Sequence, residues 1–67
     1  MLPGQILKTD ADFDNAILNA VEVMVTQYGS QLGRGQILSH SLHSVKLTSS
    51  YFFKDGSEFT ICTLVHS

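Results

Sequence analysis

Charge is scarce in this chain of 67 residues: four basic and six acidic side chains make up 15% of it, against roughly 25% in ordinary soluble domains. Hydrophobic content is nevertheless 43%. The surface is therefore largely neutral and easily desolvated against a partner. The basic residues Lys8, Arg34, Lys46 and Lys54 are scattered and the net charge is −2. Nothing in that distribution grips a phosphate backbone, so no nucleic-acid partner is expected. A single cysteine, Cys62, excludes an intramolecular disulfide and agrees with a reducing compartment. No apolar run approaches the ~18 residues of a membrane span. The first seven residues, interrupted by Pro3-Gly4, are too short for a secretory leader. The expectation is a soluble, cytoplasmic protein with no membrane partner.

What remains is one small domain, residues 1–67. A chain of this length buries only about 60% of the surface it exposes when unfolded, so its core is thin. Small domains offset this with disulfides, metals, self-association or very good packing. With one cysteine, self-association leads. Serine and threonine supply 13 residues, which suits sheet faces and turns better than long solvated helices.

Gln5 to Leu7 reads as a short strand or an ordered arm. Thr9-Asp10-Ala11-Asp12 reads as a helix start, because Thr9 or Asp10 can cap free amides and acidic groups favour the helix N-terminus. From Phe13 the apolar positions Phe13, Ala16, Ile17, Ala20, Val21, Met24 and Tyr28 recur at helical spacing, which predicts an amphipathic helix from about Asp10 to Tyr28. The competing alternation at Val21, Val23 and Val25 is shorter and is set aside. Leu18, Val23 and Val25 widen the apolar stripe beyond what one small sheet needs to cover. Gly29 to Gly35 holds three of the five glycines and reads as a loop. Gln36 to His43 fits strand or short helix, with strand preferred beside its β-rich neighbours.

Ser44 to Val65 holds two alternating apolar runs around Phe53-Lys54-Asp55-Gly56-Ser57, a hairpin signature. A two-residue Asp55-Gly56 turn leaves both faces mixed. A three-residue Lys54-Asp55-Gly56 loop with Gly56 left-handed gathers Val45, Leu47, Tyr51, Phe53, Phe59, Ile61, Thr63 and Val65 on one face. That register sets Phe53 opposite Ser57 and leaves Phe52, Cys62 and Leu64 as apolar positions on the polar side.

Candidate chemistry is thin. His40, His43, Cys62 and His66 are the only zinc-like set, but residues three apart on a strand point to opposite faces, and Cys62 and His66 lie about 13 Å apart at the strand rise. Surface or hydrogen-bonded histidines explain them better. Cys62 lacks a neighbouring base, and no serine stands in a nucleophile context. The glycine-rich segment around Arg34 leaves a helix instead of entering one, the reverse of a phosphate loop. Asp10, Asp12 and Asp14 lack the glycine and glutamate of a calcium loop and suit a helix N-terminus. Tyr51 and Phe53 have no basic patch around them, which favours packing over base stacking. Lys54 and Glu58 read as charges that blunt aggregation of a hydrophobic strand.

The resulting expectation is an α+β fold in which one amphipathic helix packs on a three- or four-stranded antiparallel sheet ending in a β-hairpin. No catalytic set, cofactor or metal site is expected. The function expected is a protein–protein interaction or regulatory module, working as a homodimer or as a small subunit of a larger assembly. Its contact residues would be Leu18, Val25, Arg34, Phe52 and Leu64. The alternative is a small-ligand or metal-binding protein using His40, His43 and the Gly29 to Gly35 loop.

Overall fold

In the computed structural model, which describes residues 2–48 and 50–63, a single helix is followed by five strands. The helix α1 (Asp10–Leu18) starts at Thr9, as the sequence indicates. The Thr9 hydroxyl accepts from the Asp12 amide at 3.1 Å, and the Asp12 carboxylate accepts from the Thr9 and Lys8 amides at 3.1 and 2.9 Å. This is a capping box, which satisfies the free amides of the first turn. Two and a half turns are marginal alone. Phe13 and Ala16, buried in the core, and Ile17, packed against it, anchor α1.

The helix ends at Leu18 and not near Tyr28. Val21 N–H donates to the Ala16 carbonyl at 3.2 Å and Ala20 N–H to the Ile17 carbonyl at 3.1 Å, the paired bonds of a Schellman cap. Ala20 takes the left-handed conformation (φ 53°) that glycine usually supplies there. The strand set aside above is real: Glu22–Gln27 forms β1, with Val23 and Val25 buried. β-branched residues in alternation fill one sheet face, and this outweighs a helical period that is coincidental after Leu18.

Tyr28 and Gly29, both left-handed (φ 52° and 82°), turn the chain directly into β2 (Ser30–His40). Gln27 pairs with Ser30, so the turn has two residues, and the backbone is that of a type I′ hairpin. The Gly29 to Gly35 loop is thus corrected to a turn and a strand. The preference for strand after Gln36 holds as far as His40. Gly33 and Gly35 face Val25 and Val23 across the ladder. They are there for room: a Cβ on Gly33 would lie 2.5 Å from the Phe52 ring, and one on Gly35 would lie 2.6 Å from Thr48 Oγ1.

β3 (Ser44–Leu47) pairs with the second half of β2, and β4 (Tyr51–Phe53) pairs with β3. Phe53 lies opposite Ser44, so the hairpin joins β3 to β4 and the expected Phe53–Ser57 register does not form. Gly56 is left-handed as expected (φ 80°), but its turn carries the chain away to β5 (Glu58–Thr63), which pairs with β1. The sheet order is β4-β3-β2-β1-β5, antiparallel throughout. It is an α+β fold with five strands, more than the three or four expected, and it ends on β5 and not on a hairpin.

Of the expected hairpin face, Val45, Leu47, Phe59 and Ile61 are buried, whereas Tyr51 and Phe53 are exposed; Val65 lies outside the described residues. The core joins these four to Val21, Val23, Val25, Ile37, Phe13, Ala16 and Leu7. Gly4 to Leu7 forms an ordered arm on the far edge of β5: Gly4 N–H donates to the Ile61 carbonyl at 2.7 Å, Ile61 N–H to the Gln5 carbonyl at 2.9 Å and Leu7 N–H to the Phe59 carbonyl at 2.8 Å.

Candidate functional site

Two features stand out on this frame, a polar cluster against α1 and the free edge of β4. In the first, Asp10, Phe13 and Asp14 share one face of α1 at the three- and four-residue spacing that brings helix side chains together. His40, at the end of β2, points inward beside Val45 and stacks on Phe13 with ring centroids 5.5 Å apart. Lys54 follows β4, and its ammonium sits 4.5 Å from the Phe13 ring centre. Its Nζ lies 3.3 Å from Asp10 Oδ1 and 3.2 Å from His40 Nδ1, while His40 Nε2 lies 2.6 Å from Asp14 Oδ1.

An ammonium only donates, so Nδ1 accepts from Lys54, and Nε2 carries the hydrogen donated to Asp14. Only 13% of the His40 side chain and 17% of that of Lys54 are exposed, against 71% and 76% for Asp14 and Asp10. The chain carboxylate–ammonium–imidazole–carboxylate clamps α1 to the ends of β2 and β4. Both imidazole nitrogens are engaged inside it. His43 lies in the exposed turn, where its carbonyl accepts from Lys54 N–H at 2.8 Å. Among the described residues, no three metal-ligating side chains converge. Cys62 is half-buried, with its Sγ 3.9 Å from the Thr60 carbonyl, and His66 lies outside the described residues.

At the second feature, Ser50 accepts from Leu47 N–H at 2.9 Å, and Lys54 donates to His43 at 2.8 Å. Residues 50, 52 and 54 therefore turn their backbone groups towards β3. By strand alternation Tyr51 and Phe53 turn theirs away from the sheet. Their side chains are 67% and 73% exposed. Lys46 Nζ lies 5.6 Å from the Tyr51 ring centre, on the same outer face. Among the described residues nothing pairs with this edge. No cavity opens elsewhere on the described surface, and no helix is long and apolar enough to cross a membrane.

The expected contact residues fall in different places. Leu18 is 81% exposed at the end of α1. Val25 is fully buried between Gly33 and Phe59, so it is a core residue and is not available as a contact. Arg34 lies on the outer face of the sheet, 3.1 Å from the Glu22 carboxylate. Phe52 is not on the polar side; it turns inward against the core and covers Gly33. Leu64 lies outside the described residues. Of the residues that carry the two features, the sequence presents His40 as a candidate ligand, Asp10 and Asp14 as helix-start charges, Lys54 as a charge beside a hydrophobic strand, and Tyr51 and Phe53 as core. Their one sequence signal is the spacing of Asp10, Phe13 and Asp14. No family model, curated protein or solved structure matches this chain.

Proposed function

We propose that the chain is a non-enzymatic protein–protein interaction or regulatory module, acting as a homodimer or as a small subunit of a larger assembly. The observation that carries this reading is the edge of β4, where two adjacent outward-facing aromatic side chains flank a row of unpaired backbone groups. Such an edge invites another strand, and native proteins usually cover or charge it. Here the charge that follows the strand is turned away, because Lys54 reaches inward to Asp10 and His40, and Lys46 of β3 lies over the Tyr51 ring. A sparsely charged surface with no cavity among the described residues suits a macromolecular contact better than a small ligand, which needs a concave site. The segment Gly29 to Gly35 supplies no ligand-binding loop, since it is a turn and a strand. We place the protein in the cytoplasm, where the lone thiol of Cys62 stays reduced.

The test is to size the untagged protein by gentle sedimentation, in extract of its native cells and after purification. A species heavier than the 7.4 kDa chain, lost in the Tyr51→Ser/Phe53→Ser double variant, is the expected result. A protein that sediments as a monomer in both settings would overturn the proposal.

A further inference from the structure

We infer that the occupant of the β4 edge is a second copy of this chain, seated antiparallel about a two-fold axis through Phe52; the inference rests on the interaction reading above and names its partner. The backbone decides the kind of occupant. Tyr51 and Phe53 each offer an outward N–H and C=O, which only an extended strand satisfies in register. The side chains decide which strand. Under a two-fold axis at Phe52, Tyr51 meets the partner subunit's Phe53, and Phe53 meets the partner subunit's Tyr51. Each of these pairs exchanges both of its N–H···O bonds. It also sets two aromatic rings side by side on the outer face, a favourable cross-strand pairing. Aromatic residues on both sides of a central position make the strand its own complement.

Charge does not oppose this arrangement. The ammonium of Lys54 is held at 3.3 Å by Asp10, on the inner side of the sheet. Lys46 sits over the Tyr51 ring. The two Lys46 backbones would lie three strand spacings apart, roughly 14 Å, and each ammonium rests against an aromatic face. The assembly also closes. The opposite end of the sheet is bordered by Gly4 to Leu7, hydrogen-bonded along β5, so among the described residues β5 offers no free edge for a second pairing of this kind. A three-residue strand buries little area, which places the dimer among weak, exchanging interfaces.

The test uses the purified full chain under reducing conditions. Equilibrium sedimentation and residue-resolved amide exchange are followed from micromolar to millimolar concentration. A monomer–dimer equilibrium is expected, with exchange of the Tyr51 and Phe53 amides slowed by about tenfold or more at high concentration while Phe52 is unchanged, because its amide already faces β3. Phe53→Pro removes an outward N–H at an edge position that tolerates proline and should weaken the dimer by about tenfold or more. Tyr51→Lys, an exposed replacement that keeps the backbone intact, should do the same if the proline variant is unfolded. A dimer whose Tyr51 and Phe53 amides exchange as fast as in the monomer would overturn the edge pairing. A purified chain that stays monomeric, yet forms a heavier species in extract through Tyr51 and Phe53, would overturn the second copy and leave the interaction reading standing.

Discussion

Gly33→Ala isolates the closest approach in the sheet. Gly33 has no positive φ, so its backbone accepts alanine without strain. Removing conformational freedom from the unfolded chain would by itself stabilise the variant by about 0.4–1 kcal/mol. The packing opposes this. The added methyl would lie 2.5, 3.2 and 3.4 Å from three carbons of the Phe52 ring, where carbon contacts normally settle at about 3.5–4.0 Å. The ring must retreat by about 1 Å, and it is wedged against the core. Overpacking of this kind costs about 1–3 kcal/mol, so the net loss is about 1–2 kcal/mol. At 67 residues the whole fold is worth only about 3–10 kcal/mol. The melting temperature should fall by about 4–15 °C.

Urea unfolding at micromolar concentration, with the slope compared to that of the parent, measures the loss. Phe52→Leu supplies the control, because a shorter side chain leaves room for the methyl. In the double variant Gly33→Ala should cost nothing further, giving a coupling of about 1–2 kcal/mol. A Gly33→Ala protein as stable as the parent, or single-variant losses that simply add, would show that Phe52 does not rest on Gly33.

Tyr28→Asn should stabilise the fold by about 1 kcal/mol, since Tyr28 is 95% exposed yet holds φ 52° in a turn that prefers asparagine; an unchanged thermal midpoint would remove the strain argument. Lys54→Met should cost about 0.5–1 kcal/mol, and Lys54→Ala about 1–2 kcal/mol because the stem over Phe13 is lost as well. Equal losses in denaturant titration would mean that only the charge matters. The amides of Lys8 and then Thr9 hold the Asp12 carboxyl below its ordinary value of 3.8. Its contribution is therefore fully present above that pH and is lost as pH falls through the lowered folded value. Urea midpoints measured from pH 5 to pH 2 should decline less steeply in Asp12→Asn than in the parent; identical acid slopes would exclude the capping box as a source.

The helix start was legible because Thr9 and Asp12 are local signals acting over three residues. Its end was not, because Ala20 occupies the cap position where glycine would have announced the stop. Tyr28-Gly29 conceals the first hairpin for the same reason: asparagine is the usual mark of that turn, and tyrosine adopts it at a cost. Glycine also misled in the other direction. Gly33 and Gly35 punctuate the sequence like a loop, yet each sits in a strand under a neighbouring side chain. The terminal hairpin failed through competition. Phe59 and Ile61 gain more from facing Val25 and Val23 on β1 than from sharing a hairpin face with Tyr51 and Phe53, and a preference between distant strands has no local trace. The clamp of Asp10, Asp14, His40 and Lys54 joins residues 44 and 26 positions apart, so only its helical half left a pattern.

These corrections move the case for association from one part of the chain to another. A helix reaching Tyr28 would have carried more apolar surface than a small sheet covers, with Leu18, Val23 and Val25 left over. The short helix reduces that surplus to Leu18, because Val23 and Val25 enter the core through β1. Described residues of all the strands but β4 contribute to the core outright, while β4 sends only Phe52 inward. A monomer with this core is already closed, so a partner is not required to finish it. Leu18 and Leu42 stay exposed as single side chains, whereas Tyr51 and Phe53 are exposed beside an unpaired backbone edge, held at the end of the sheet by β3 alone. Association through that edge would therefore be readily reversible and separable from folding, the behaviour suited to a regulatory contact and not to an obligate subunit.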